Sequence, residues 1–278
     1  MTKHKIALIV GAHPDDCVLG AGGVSILLIR AGWRVIFLTM SDGELGGNPT
    51  VRISEENECA RTLGVHVEYG HLPDGNITSV EAVKVLETKL TEHRPSLIFV
   101  HAPADSHKDH RIVSKSLQSA ARRYSSILFY EGPSSVDFKP AMRIRLEACV
   151  RELKQQALLA HLSQSTRVRT TEWIEATGRY RAWPHFADDC CEAFVPLRMD
   201  IGLLLNPVSP VDTLSYVVPH VDQLALGTDM NLLSDLTSLE MLKDCPVSRK
   251  DHVLFFLGGL LSLTLAFVFS WSSYLVTA

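Results

Sequence analysis

The chain has no excess of basic residues: 27 Lys and Arg stand against 31 Asp and Glu, for a formal net charge of -4. Without a positive field, a nucleic-acid partner is not expected. The six cysteines, Cys17, Cys59, Cys149, Cys190, Cys191 and Cys245, form neither a CxxC pair nor a regular framework. No secretory signal opens the chain, so a reduced, cytosolic compartment is the expectation for its main body. Internal repeats and low-complexity tracts are missing, as is the HExxH helix of metalloproteases. What the chain does have is 46% hydrophobic content over 278 residues, enough for one sizeable α/β domain plus an appendage.

Apolar runs and helical periods alternate along residues 1–200. A strand is predicted at about 5–10, then a helix at 18–31 whose Ala21, Gly22 and Gly23 let it approach a sheet closely. Strands at 34–40, 65–69, 97–101 and 127–130 alternate with helices near 53–63, 79–92 and from about 110 onward, and Pro95 marks one helix stop. Such a βαβα order implies an α/β fold with a largely parallel, Rossmann-like sheet flanked by helices.

Two polar clusters sit where buried strands should end. Ile6-Ala7-Leu8-Ile9-Val10 runs into Ala12-His13-Pro14-Asp15-Asp16, and Leu97-Ile98-Phe99-Val100 runs into a stretch holding His107-Lys108-Asp109-His110. In open α/β sheets ligands bind in the crevice beyond the carboxyl ends of the strands. Hydrolytic zinc takes three His or carboxylate ligands and keeps a fourth position for water. His13, Asp16 and His110 would fill the three places, with Asp15, His107 and Asp109 near enough to move protons or orient ligands. Alone, the His-Pro-Asp-Asp turn would equally suit a helix N-cap; the second cluster favours a metal. His/Asp sets also accept iron, manganese or cobalt. His66, His71 and His101 read as ordinary surface or packing histidines.

These motifs resemble the PIG-L/LmbE family of zinc-dependent N-deacetylases. The resemblance rests on His13-Pro14-Asp15-Asp16 followed by Leu19-Gly20-Ala21-Gly22-Gly23, and on His107-Lys108-Asp109-His110. Ser41-Asp42-Gly43-Glu44, Arg52, Glu55, Leu63-Gly64, Leu72-Pro73-Asp74 and Lys154 through Gln164 add to it, and it spans roughly residues 5–197. It implies removal of an acetyl group from an N-acetylglucosamine-type sugar on a glycoconjugate. Asp15 would be the general base, His107, protonated, the oxyanion partner, and Asp109 the residue that orients an imidazole. Arg52 and Asp74 match positions that hold sugar hydroxyls, and Asp42 would line the same crevice. Cys17 stands where many members carry Glu, which puts a thiol beside the expected metal. Asp105-Ser106 stands where some relatives place a tyrosine. The same metal core would also serve an amidase of another N-acyl or thiol conjugate, and the fold alone would serve a silent, membrane-anchored sugar-binding protein.

Residues 201–252, with Pro207, Pro210, Pro219 and Pro246, read as an irregular connector. Beyond it, residues 253–269 carry no charge, and the apolar stretch extends to 276, about the ~20 residues that span a bilayer. Arg249-Lys250 before it and Trp271 and Tyr274 near its far end suit a single membrane anchor with the catalytic domain facing the cytosol. A helix buried in a core or an interface, on a soluble cytoplasmic protein, is the other reading.

Overall fold

In this computed structural model, residues 5–165, 171–184, 186 and 189–205 are described. Strand β1 (Ile6–Gly11) lies in the middle of a seven-stranded sheet and is apolar on both faces. That pattern belongs to a strand covered on each side. Ala7 and Ile9 feed one hydrophobic cluster while Leu8 and Val10 feed the other.

Helix α1 (Asp16–Arg30) leads to β2 (Arg34–Ser41), and α2 (Pro49–Leu63) leads to β3 (His66–Leu72). The chain then crosses back through α3 (Ser79–His93) to β4 (Leu97–His101), and through α4 (Lys108–Ala120) to β5 (Ile127–Tyr130). The remaining described elements are β6 (Met142–Leu146), α5 (Ala148–Leu159), a 3-10 turn (Leu162–Gln164), α6 (Thr171–Ala182), β7 (Cys190–Arg198) and the short α7 (Gly202–Leu205). Strand order is β3-β2-β1-β4-β5-β7-β6. The first five strands are parallel, and β7 runs antiparallel to both β5 and β6. The sheet is therefore mixed: its parallel part matches the expectation, and an antiparallel edge completes it.

The order in which strands are added reverses between β1 and β4. Their carboxyl ends lie side by side and deliver residues 12–16 and 101–110 to one crevice, the switch point at which doubly wound sheets bind ligands.

Helix α1 begins two residues earlier than the periodicity predicts, at Asp16, and is interrupted at Ala21 (φ -147°, ψ 20°). A Cβ at Gly20 would fall inside the Tyr130 ring, so only glycine lets α1 lie this close to β5. At the interruption Gly23 and Val24 donate their N–H groups to Glu192, both at 2.7 Å. Lys154 Nζ reaches Leu19 O at 2.8 Å and Glu192 Oε1 at 2.7 Å.

Among the described residues no helix is long and apolar enough to cross a membrane. Of the connector expected at 201–252, the described part holds the short α7, and the rest of it, with the anchor expected at 253–276, lies outside the described residues.

Candidate metal centre

His13, Asp16 and His110 meet, and their donor atoms form a nearly equilateral triangle. His13 Nδ1 is 3.3 Å from Asp16 Oδ2, His110 Nε2 is 3.4 Å from Asp16 Oδ2, and the two ring nitrogens are 3.3 Å apart. A point just off such a triangle lies about 2 Å from every donor, the ordinary Zn–N and Zn–O distance. All three side chains are buried. The donor set and its spacing fit a tetrahedral ion with one position left over.

Local folding explains the convergence. Asp16 opens α1 and turns its carboxylate back, so that Oδ2 accepts the N–H groups of Ala12 at 3.1 Å and His13 at 2.8 Å. His110 lies in the first turn of α4. That helix starts at Lys108, earlier than predicted, because His107 Nδ1 accepts the Asp109 N–H at 3.3 Å and caps it.

Supporting groups surround the triangle. Asp109 Oδ2 is 3.4 Å from His13 Nε2 and accepts the Gly75 N–H at 2.7 Å, so the imidazole within its reach is that of His13. Asp74, expected to face substrate, sits on the same ring edge, with Oδ1 3.0 Å from His13 Nε2. Burial opposes its charge, but the hydrogen bond and charge of His13 outweigh burial and hold the carboxyl at about 2.

Asp105 Oδ2 and Ser134 Oγ each lie 3.2 Å from His110 Nδ1, and His101 Nε2 lies 3.2 Å from Asp16 Oδ2. His101 also stacks on His110, with ring centroids 3.8 Å apart. Burial first, then the neighbouring His110, keeps the His101 ring at about 4 and hence neutral at pH 7, and its Nε2 accepts the Ala12 N–H at 3.1 Å. The sequence reading passed over Asp105 and His101. His101 had a signal: it is the polar last residue of a buried strand whose carboxyl end faces the crevice.

Three expectations change. The His107 ring is half-buried, 4.7 Å from the His13 ring and 4.5 Å from that of His110. Burial and the charges on those two rings lower its pKa, so the protonated form expected for it is disfavoured. With Nδ1 accepting, Nε2–H remains as a neutral donor. Cys17 is no metal-proximal thiol: its Sγ points at Ile9 O, 3.5 Å away inside the core, and burial pushes its pKa up. Arg52 is buried, with Nη1 on Gly43 O and Nη2 on Pro14 O, both at 2.8 Å, and it stands 3.9 Å from Asp15 Oδ2. Its guanidinium is committed to backbone where a sugar contact was expected.

Asp15 is buried, next in sequence to Asp16. Asp42 stays outside the triangle and holds exposed His71 by Nδ1 at 2.9 and 3.0 Å. That pair lines an open cavity of about 360 Å³ together with Glu44, Pro49, Leu72 and Pro73. Glu44 Oε1 accepts the Asp74 N–H at 2.8 Å, which joins the cavity to the metal centre.

The charges yield a pH prediction. Burial lowers the pKa of both His13 and His110. For His13 the hydrogen bonds to Asp109, Asp16 and Asp74 more than reverse this; for His110 the Asp16 charge and the Asp105 and Asp16 hydrogen bonds raise it to about 9. The His110 ring is thus protonated at pH 7 without metal, and both rings must be neutral to ligate. Zinc loading at pH 7 is expected to release protons, and apparent affinity should climb as pH rises toward 9. A pH indicator in weak buffer reads this; zero release would mean that the rings are already neutral.

The chain is similar to several known proteins. A family model described as PIG-L, GlcNAc-PI de-N-acetylase, matches residues 8–121. An Escherichia coli K12 protein named uncharacterized deacetylase YaiS is 29% identical over 172 residues, covering 58% of this chain and 92% of the relative. The diacetylchitobiose deacetylase of Thermococcus kodakarensis is 31% identical over 123 residues, covering 38% of this chain and 45% of the relative. Among solved structures, the N,N'-diacetylchitobiose deacetylase of Pyrococcus horikoshii superposes with a TM-score of 0.60 at 25% identity, covering 74% of this chain and 87% of that one.

Proposed function

Because residues 8–121 form a PIG-L family domain and the chain's homologues are deacetylases, we propose that it is a zinc-dependent hydrolase that removes the N-acetyl group from an N-acetylglucosamine-type sugar on a glycoconjugate. The observation that carries this reading is the triangle of His13 Nδ1, Asp16 Oδ2 and His110 Nε2 at the strand switch point. An ion held there would activate water and polarise the amide carbonyl.

The protein's own residues do the rest. Asp15 takes the proton of the attacking water, with the Arg52 guanidinium 3.9 Å from its carboxylate. His107 donates from Nε2–H to the developing oxyanion as a neutral imidazole. Asp109 and Asp74 on His13, and Asp105 on His110, fix those rings in place. The cavity beside Asp42, Glu44 and His71 is tied to the centre through the Glu44–Asp74 hydrogen bond and has room for the unit that follows the reacting sugar.

Acetate release tests the proposal. Metal-depleted and zinc-restored protein is offered N-acetylglucosamine, diacetylchitobiose, larger N-acetylglucosaminyl conjugates and non-sugar N-acyl amides. Zinc-dependent release from amino sugars, best from a conjugate, is expected. Release only from the non-sugar amides would replace the substrate class, and none from any compound would sink the proposal.

A further inference from the structure

Asp15 adopts φ 100° and ψ -25°, a backbone conformation that a residue bearing a Cβ holds only when its surroundings impose it. What imposes it is visible on the preceding peptide group. Pro14 O accepts from Arg52 Nη2 at 2.8 Å, and the Asp15 N–H donates to Glu56 Oε2 at 3.1 Å. That carbonyl and that N–H are opposite ends of one rigid planar unit. Arg52 and Glu56 are four residues apart on α2, hence on one face of it. A single helix face thus grips both polar ends of one peptide.

Each jaw is itself anchored. Arg52 Nη1 donates to Gly43 O at 2.8 Å, Glu56 Oε1 accepts from Thr39 Oγ1 at 3.0 Å, and His161 Nε2 stands 3.3 Å from Glu56 Oε2. Arg52, Glu56, Thr39 and His161 are all buried. Glu56 also belongs to a buried trio with Cys59 and His161 of metal-ligand type. Its two oxygens are already taken by Thr39 and Asp15, so the trio serves as a brace.

We propose that Arg52 and Glu56, with His161 behind Glu56, form a peptide clamp that positions the Asp15 carboxylate for its attack on the water proton. They are positioning residues, and the proposal rests on the reading of Asp15 as general base. Held by the clamp, Asp15 faces its task while Asp16, the next residue, turns back to the metal. Released from it, the peptide rotates and the carboxylate moves away from the water.

The test compares Glu56→Ala and Glu56→Gln, each in the native and in the Asp15→Ala background, for zinc content, kcat and KM of acetate release, and denaturant unfolding. A displacement on the order of 1 Å costs about 10²-fold in rate. In the native background Glu56→Ala should therefore lower kcat by about that factor, with KM and zinc content held. Glu56→Gln, whose amide oxygen can still accept the Asp15 N–H, should restore most of the rate. In the Asp15→Ala background Glu56→Ala should have no further effect. Should Glu56→Ala not fold, Arg52→Met, which frees the other end of the same peptide, carries the same expectation. The clamp is overturned by an equal loss in both backgrounds, by a loss that follows zinc content, or by full activity of Glu56→Ala. Full turnover by Asp15→Ala alone would instead overturn the base assignment, and the clamp with it.

Discussion

Asp15→Ala is expected to lower turnover by roughly 10² to 10⁴-fold, the usual contribution of a general base, while the protein keeps its bound metal. The two halves of this expectation have different physical origins. Metal retention follows because the Asp15 carboxylate is no side of the donor triangle; its neighbour Asp16 supplies the oxygen that His13 and His110 both approach. Loss of rate follows because removing a base takes away stabilisation that exists only in the transition state, so kcat falls and KM hardly moves.

Asp16→Ala is the contrast that gives the measurement its meaning. It deletes a proposed ligand and also the acceptor of the Ala12 and His13 N–H groups, so metal and turnover should vanish together. Metal content by elemental analysis and initial rates of acetate release on the two variants decide the matter. If Asp15→Ala loses the metal, Asp15 is a ligand. If it keeps both metal and rate, the base lies elsewhere.

Much of the fold was legible because β1, β2 and β4 are apolar on both faces, which only buried parallel strands need to be. The grouping of His13, Asp16 and His110 was legible for a related reason, since His13 and Asp16 follow β1 directly and His110 lies in the first turn of the helix that follows β4. Side chains that act across the sheet left fainter traces. Asp105 reaches the back of His110 through a loop bridged to Ser135, and nothing in its local spacing announces that. Arg52 and Asp74 carried the expected residue types, yet a guanidinium fork satisfies backbone carbonyls as readily as sugar hydroxyls, and the third dimension decides which. The antiparallel edge was hidden as well. Strand β6 reads Met-Arg-Ile-Arg-Leu, an alternation that fits a half-exposed edge, and its partner β7 lies far along the chain beyond α5 and α6.

Lys154→Met is expected to destabilise the fold by about 3 kcal/mol, the lower end of the 3–5 kcal/mol that breaking a buried ion pair costs. The lower end applies because Glu192, left without its cation, still accepts the Gly23 and Val24 N–H groups. Methionine keeps the length and apolar stem of lysine, so packing around α1 changes little and the loss reports the charge. Glu192→Met should cost more, since it strands the Lys154 ammonium against Leu19 O alone and also uncaps two N–H groups where α1 is interrupted at Ala21. In a domain of this size 3 kcal/mol corresponds to a fall in Tm of roughly 6–12 °C. Denaturant unfolding of both single variants and the double variant closes the cycle: the double loss should fall well short of the sum, because each single change already breaks the same pair. The consequence reaches the site, because α1 begins with Asp16 and its packing on the sheet fixes where that carboxylate stands. A neutral Lys154→Met would show instead that close approach at Gly20 and apolar contacts alone hold α1 in place.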